Sequence, residues 1–129
     1  MPKRSRATPA PFVIDRDWSH QVALPDDLCV DRNLTRITEF CQAQGIRYLT
    51  RKVQAIWPDG NYEEWRLHCF ADLAAASTFL DQFEGIMFDP KRDRENGRAR
   101  GVWRRTGAYE RILHLGPLSV PEILRTRAI

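Results

Sequence analysis

Cysteine and lysine are scarce in this chain of 129 residues, and long apolar runs are missing. Its three cysteines, Cys29, Cys41 and Cys69, form no Cys-x-x-Cys pair, which favours reduced, buried thiols over disulfides. No apolar run approaches the roughly 18 residues that cross a bilayer. The only apolar run near the N-terminus, residues 12–14, is too short for a signal peptide. We therefore expect a cytoplasmic protein without membrane contact.

Signatures of catalysis are also missing. The chain has no G-x-S-x-G, papain-like or kinase motif and no glycine loop that leads from a strand into a helix. Metal ligands normally come in closely spaced pairs, whereas His68 and Cys69 are neighbours on a predicted strand and point to opposite faces. The sequence therefore predicts no catalytic residue, no cofactor and no metal, and it disfavours an enzyme.

Charge is distributed unevenly along the chain. Residues 7–90 hold seven basic and thirteen acidic side chains, a net charge of −6, although the whole chain carries +3. Residues 91–105 hold seven basic and two acidic side chains, a net charge of +5. A further basic cluster, Lys3, Arg4 and Arg6, lies in an N-terminal arm over residues 1–11. An arginine-rich segment of this kind is typical of phosphate contacts and equally of a solvated loop.

The strongest local signal is a β-hairpin around Trp57-Pro58-Asp59-Gly60-Asn61. Proline followed by Asp-Gly suits a type I turn with a G1 bulge, so facing residues have numbers that sum to 118. A two-residue loop with a sum of 120 would keep the same faces and change only the partners. One face is then mostly apolar, with Leu49, Arg51, Val53 and Ala55 opposite Cys69, Leu67, Trp65 and Glu63. The other carries Tyr48, Thr50, Lys52, Gln54 and Ile56 opposite Phe70, His68, Arg66, Glu64 and Tyr62.

Helices are predicted on both sides of this hairpin. Asp72 is a suitable N-cap for the second, which Gly85 should end, while Asp26, Asp27 or Asp31 could cap the first. With weak strands at residues 20–24 and 86–88, the order becomes strand, helix, strand, strand, helix, strand. This order predicts an α+β ferredoxin-like plait, an antiparallel sheet with two helices on one face. A smaller α+β meander is the rival. The single domain spans residues 12–129, with an exposed arginine-rich loop at 89–101 and a C-terminal extension.

The helices should bury the apolar face and leave the Tyr48–Phe70 face open. Aromatic and basic side chains alternate on that open face, which is typical of sheets that stack bases and contact phosphates, although the RNP1 motif is absent. The candidate nucleic-acid or anion-binding residues are Lys52, Arg66, His68, Arg92, Arg94, Arg98, Arg100, Arg104 and Arg105, and the candidate stacking residues are Tyr48, Tyr62 and Phe70.

Three functional hypotheses follow. The first is a small, non-catalytic module that binds nucleic acid through the segment from Lys91 to Arg105 and through the open face. The second is a homodimer that joins two open faces around a small-molecule pocket. That pocket could be enzymatic, with His68 as acid or base and Arg66 as the anion-binding residue. The third is an adaptor whose acidic body and basic loop contact a protein partner.

Overall fold

The computed structural model describes residues 8–125. The predicted basic residues Lys3, Arg4 and Arg6 lie outside this range. None of the helices within it is long and apolar enough to span a membrane. The helices are α1 (Pro11–Asp17), α2 (Asp31–Gln44), α3 (Leu73–Phe83), α4 (Pro90–Asp93) and α5 (Glu122–Arg125). The strands are β1 (His20–Pro25), β2 (Leu49–Ile56), β3 (Tyr62–Phe70), β4 (Ile86–Phe88), β5 (Trp103–Arg104), β6 (His114–Leu115) and β7 (Leu118–Ser119).

The main sheet has five strands in the order β4-β1-β3-β2-β5. Neighbouring strands from β4 to β2 pair antiparallel, whereas β5 pairs parallel to the outer edge of β2. The α+β class is therefore confirmed. The purely antiparallel plait is not confirmed, because the sheet is mixed and carries an additional strand. Strands β6 and β7 form a separate two-stranded sheet.

The hairpin of β2 and β3 has the predicted register. Leu49 faces Cys69, and Val53 faces Trp65, so the sum of 118 is confirmed. The Trp57 N–H donates to the Asn61 carbonyl at 2.9 Å, which closes the loop. Gly60 has φ +92°, the left-handed conformation that a G1 bulge requires.

Helices α2 and α3 pack on the face that we expected to be open, so that prediction is wrong. The ring of Phe79 in α3 lies 4.8 Å from His68 and 5.2 Å from Phe70, and both strand residues are buried. Ile37 of α2 belongs to the same core cluster. The handedness of strand–helix–strand crossovers is nearly invariant and determines which face receives the helices. The polarity of one hairpin is therefore a poor guide to the helix side.

The opposite face is buried as well, by the short helix α1 and by side chains of the two edge strands of the sheet rather than by the long helices. Ile14 of α1 and Phe88 of β4 join Val53 and Trp65 in a second buried cluster. Trp103 of β5 completes it, with ring centroids 5.5 Å from Trp65 and 5.0 Å from Phe88. Each buried aromatic side chain contributes about 1.5–3 kcal/mol. The predicted apolar face is therefore buried as expected, but its cover differs from the expected one.

The predicted helix ends are confirmed in one case and corrected in two. Asp72 caps α3, because its carboxylate accepts the N–H of Ala75 at 2.8 Å. The predicted aspartate cap of α2 is wrong, since its N-cap is Val30, without a side-chain cap. At the end of α3, Glu84 rather than Gly85 takes the left-handed conformation, with φ +57°.

Gly85 has a different structural role from the one predicted. A Cβ atom there would lie 2.5 Å from the main-chain oxygen of Ala23, so the residue allows the chain to pass close to β1. Glycine commonly serves such close approaches.

Substitutions at Gly85 and at Glu84 should therefore have opposite effects on stability. Gly85→Ala should lower the free energy of unfolding by about 1–3 kcal/mol through overpacking against β1. Glu84→Gly should raise it by up to about 1 kcal/mol, because it relieves a left-handed non-glycine residue. Urea denaturation of both variants would measure this. A tolerated Gly85→Ala with a destabilising Glu84→Gly would contradict the close approach.

Candidate anion-binding groove

The arginine-rich segment is more ordered than its composition suggests. Asp89 caps α4 by accepting the Lys91 N–H at 3.0 Å, and Asp93 accepts the Asp89 N–H in return at 2.9 Å. Pro90 is buried, and so is Arg94, whose exposed fraction is only 3%. The predicted exposed loop at residues 89–101 therefore contains two buried residues that anchor it to the rest of the protein.

Arg94 anchors this segment to the edge of the sheet. Its Nη1 donates to the carbonyl of Gly101 and its Nη2 to the carbonyl of Lys52, both at 3.0 Å. Its guanidinium carbon lies 5.7 Å from the centre of the Phe88 ring. Strand β5 pairs with β2 only at Ala55 and Ile56. At Lys52, which precedes these two residues on β2, the Arg94 guanidinium takes the place of a neighbouring strand as the hydrogen-bond partner of the sheet edge.

A second arginine lies beside it, and the two share one carboxylate. Arg51 Nη1 lies 2.5 Å from Asp15 Oδ2, and Arg94 Nε lies 3.9 Å from the same oxygen. Arg51 also donates to the Ala99 carbonyl, and Gln21 Nε2 donates to the other Asp15 oxygen at 3.1 Å. Burial first, and then the charge of Arg51, lower the pKa of Arg94 to about 10. Arg94 therefore stays charged at neutral pH, and this Arg51–Asp15–Arg94 cluster of two arginines and one aspartate has a formal net charge of +1.

A groove of about 350 Å³ opens next to the cluster. Its walls bring together three sequence candidates, Lys52, Arg94 and Arg100, with Glu64 as the acidic residue of its lining. Arg51 also lines the groove and was not among the candidates. The available signal was an arginine on an otherwise apolar strand face, where a charged residue needs a partner.

The remaining arginines of the segment lie outside this groove. Arg98 is exposed, Arg92 pairs with Asp93 at 2.8 Å, and Arg104 pairs with Glu95 at 3.2 Å. Arg105 has another role, because its guanidinium carbon lies 4.2 Å from the centre of the Trp103 ring. It also lies 5.3 Å from Trp57 and 5.5 Å from Trp65. Such cation–π contacts favour a packing role for Arg105.

The candidate binding residues on β2 and β3 are buried at one end of the hairpin and more exposed at the other. Near α3, His68 and Phe70 are buried and Tyr48 is half-buried, so neither buried ring is available to a ligand. Towards the turn, Arg66 pairs with Asp26 at 2.9 Å, whereas Tyr62 is 67% exposed. Lys52 is also exposed. The predicted contact surface therefore persists only at the turn end of the hairpin.

An acidic cleft of about 380 Å³ lies beside the same turn. Its wall includes Glu63, whose carboxylate accepts hydrogen bonds from Trp65 Nε1 at 3.0 Å and Tyr109 OH at 3.3 Å. Burial raises the pKa of Glu63. Arg111 lines the cleft and pairs with Asp27 at 2.9 Å. Since Glu64 lines both concavities, the acidic cleft and the basic groove adjoin one another.

No group of three or more histidine, cysteine or acidic side chains within residues 8–125 is arranged to hold a metal ion. Comparison of the chain with protein-family models, with curated proteins and with solved structures finds no match. The geometry of the groove and the surfaces around it therefore carries the functional argument.

His68 should make stability depend on pH. Its pKa is lowered to about 3, first by burial and then by the charge of Arg66, while a hydrogen bond with the Val22 main chain acts in the opposite direction. The unfolded chain takes up the proton near pH 6.5, whereas the folded chain does not. The contribution of neutral His68 is therefore complete above pH 6.5 and is lost as pH falls towards 3. At pH 5 the loss should be about 2 kcal/mol.

Urea midpoints at pH 7.5 and pH 5.0 measure this loss. His68→Phe should reduce the difference between the two pH values, because phenylalanine takes up no proton and can stack on Phe79. His114→Gln is the matched control, since His114 is exposed. The same pH dependence in all three proteins would contradict the assignment to His68.

The cysteines should be unreactive in the native protein. All three are free and buried, and burial is the main cause that raises their pKa values, to about 12 for Cys29 and Cys69 and about 11 for Cys41. Because the thiolate is the reactive form, a disulfide reagent at pH 8 should label native protein slowly. In urea it should label three thiols rapidly. One rapidly labelled thiol without denaturant would contradict this.

Proposed function

We propose that this protein is a cytoplasmic, non-catalytic module that binds nucleic acid, with the Arg94 groove as a phosphate-contact site. The observation that carries the proposal is the convergence of Arg51, Lys52, Arg94 and Arg100 on one concave surface. Cationic side chains that neutralise phosphates and release counterions supply most of the affinity in sequence-independent binding. The free, buried cysteines support a reducing compartment.

Arg94 contributes its charge rather than a direct contact with the ligand. Two main-chain carbonyls hold its guanidinium in place, and its side chain is only 3% exposed, so its nitrogens are not open to a phosphate. Arg100 lies at the exposed rim and supplies a charge that can approach a bound strand.

The turn end of the hairpin supplies a stacking surface. Tyr62 and Lys52 lie on the same face of β2 and β3, and both are exposed. Tyr62 lines the acidic cleft that adjoins the basic groove, and the bases of a single strand stack on exposed rings while its phosphates follow cations. This supports single-stranded nucleic acid over duplex. The adjacent acidic cleft would repel phosphates and so limit the path of the strand.

The fold is consistent with a modified plait. In this proposal, β4-β1-β3-β2 with α2 and α3 is a ferredoxin-like unit, and β5 extends it beyond β2. The basic segment between β4 and β5 then crosses to the β2 edge, where Arg94 anchors it. The binding residues are thus carried on an addition to the sheet edge rather than on the sheet face.

The structure offers less support to the alternatives. The part of the sheet face that was expected to form a dimer or a pocket contains His68 and Phe70, which are buried under α3. An imidazole with a pKa of about 3 is poorly suited to acid–base chemistry near neutral pH. A protein-binding adaptor remains an alternative, because a basic groove also attracts acidic peptides.

Binding to a fluorescent single-stranded oligonucleotide should weaken steeply with salt. Arg100→Gln should reduce the slope of log K against log salt by about 0.7, the value for one lost phosphate contact on a single strand. It should lower affinity without changing the urea midpoint, because Arg100 is exposed. Anisotropy titrations between about 50 and 200 mM salt measure both quantities.

Arg36→Gln is the matched control, since Arg36 is an exposed arginine on α2 away from the groove lining. It makes the same change in net charge and should leave the slope unchanged. Equal effects of the two variants would indicate a general charge effect and would count against the groove. Affinity independent of salt in the native protein would exclude the proposed function.

A further inference from the structure

The Arg51–Asp15–Arg94 cluster has one more positive charge than negative charge. Asp15 is the carboxylate that lies within 4.0 Å of either guanidinium among residues 8–125. The side chains of Arg51, Asp15 and Arg94 are only 9%, 14% and 3% exposed. A charge shielded from water and left without a counter-charge is costly. This local imbalance favours an anion at the adjoining groove.

A second observation points the same way. The Nε atom of Arg94 is buried and has no hydrogen-bond partner in the described structure, since Asp15 is too far away at 3.9 Å. Buried polar atoms of this kind are uncommon and call for an explanation. Arg94 lines the groove while its two terminal nitrogens are held by carbonyls. Because Nε is buried, an anion in the groove would compensate the charge of Arg94 through space rather than by a hydrogen bond to this atom.

The charge of the whole groove specifies the kind of anion. The cluster contributes +1 and Arg100 at the rim contributes +1, while Lys52 and Arg66, which both pair with Asp26, are offset by Asp26 and Glu64. The site is therefore suited to an anion of charge about −2. A phosphate monoester carries about −1.5 to −2 at pH 7, whereas a phosphodiester within a strand carries −1.

We propose that the groove binds the terminal phosphate monoester of a nucleic-acid strand, with Arg100 in contact with the phosphate and the buried charges of Arg51 and Arg94 behind it. This inference rests on the proposed function, because it names which phosphate of the strand occupies the site. The remainder of the strand would extend past the rim towards Lys52, with a base stacked on Tyr62 and the phosphates clear of the acidic cleft that this ring lines. A free mononucleotide offers the same phosphate chemistry and is the source to be distinguished.

Three oligonucleotides of identical sequence test the assignment, with a 5′-hydroxyl, a 5′-phosphate or a 3′-phosphate end. One terminal phosphate should improve affinity about tenfold over the hydroxyl strand, the usual effect of one charge-assisted hydrogen bond. A methyl ester on the preferred terminal phosphate should remove most of the gain, because it keeps the bulk and removes one charge. Anisotropy at constant salt provides the readout.

Two variants in the same segment separate the groove from general charge. Arg100→Gln should reduce the preference for a phosphorylated end to less than about threefold. Arg98→Gln removes an equal charge from an exposed residue outside the groove lining, and should lower all affinities alike while keeping the preference. Arg94→Lys should also reduce the preference, because lysine lacks the two terminal nitrogens that bond the carbonyls of Gly101 and Lys52. Its urea midpoint shows whether it is folded, and if it is not, the comparison of Arg100→Gln with Arg98→Gln decides the test.

The outcomes distinguish this inference from the proposed function. Equal affinity for hydroxyl and phosphorylated strands would overturn the terminal-phosphate site and leave nucleic-acid binding intact. A 5′-mononucleotide that binds as tightly as the phosphorylated strand would assign the groove to a free monoester, and both proposals would fail. A preference that survives in Arg100→Gln and is lost in Arg98→Gln would place the site outside the groove.

Discussion

The central constraint on this fold is that β1 and the C-terminal half of β3 are buried on both faces of the sheet, so the sheet must be covered twice. On one face, His68 and Phe70 require α3, while on the other Trp65 and Leu67 require α1, β4 and Trp103. A layer that buries apolar surface on two sides needs a partner on each. Two long helices can supply only one of these covers, because both crossovers deliver them to the same side. The residues after β4 have to supply part of the other.

That second requirement explains why the basic segment has its position. To bring Trp103 over Trp65, the chain must travel from β4 at one end of the sheet order to the outer edge of β2 at the other. The segment cannot pair continuously with β2, since β5 contributes only two residues. Arg94 bonds the free carbonyl of Lys52 instead. The hydrogen bonds that anchor this segment thus place the Arg94 cation at the β2 edge, where the carbonyls of Gly101 and Lys52 hold it and Asp15 lies 3.9 Å from its Nε.

Local structure could be read from the sequence where a few residues determine the geometry. Pro58, Asp59 and Gly60 predict one turn and one register, because each has a specific preference at its turn position. Asp72 was equally readable as a cap. The side on which the helices lie was not, because it depends on the sequence of crossovers rather than on any one element. The left-handed residue at Glu84 was missed for a similar reason, since the approach of Gly85 to Ala23 is visible only once β1 and α3 are in place.

The candidate site was predictable in composition and not in arrangement. The segment from Lys91 to Arg105 has an obvious excess of charge, but its arginines do three different things. Arg94 is an anchor, Arg105 packs on tryptophan rings and Arg104 pairs with Glu95. Burial decides between these roles, and burial depends on residues as distant as Lys52 and Trp57. Arg51, on the other strand, shows that the missing member of a charged site can lie outside the charged segment.

The Arg51–Asp15–Arg94 cluster also separates stability from binding. Replacing a buried ionic group by well-packed apolar residues is often neutral or stabilising, so stability alone gives weak grounds for two arginines against one aspartate. Gln21 and the carbonyls of Ala99, Gly101 and Lys52 satisfy most of the hydrogen-bond donors and acceptors, but they do not cancel the excess charge. An anion that binds only the folded chain would cancel it and stabilise the fold by mass action. The excess positive charge that lowers the stability of the free protein would then raise its affinity for a phosphate. Functional sites commonly sacrifice stability in this way.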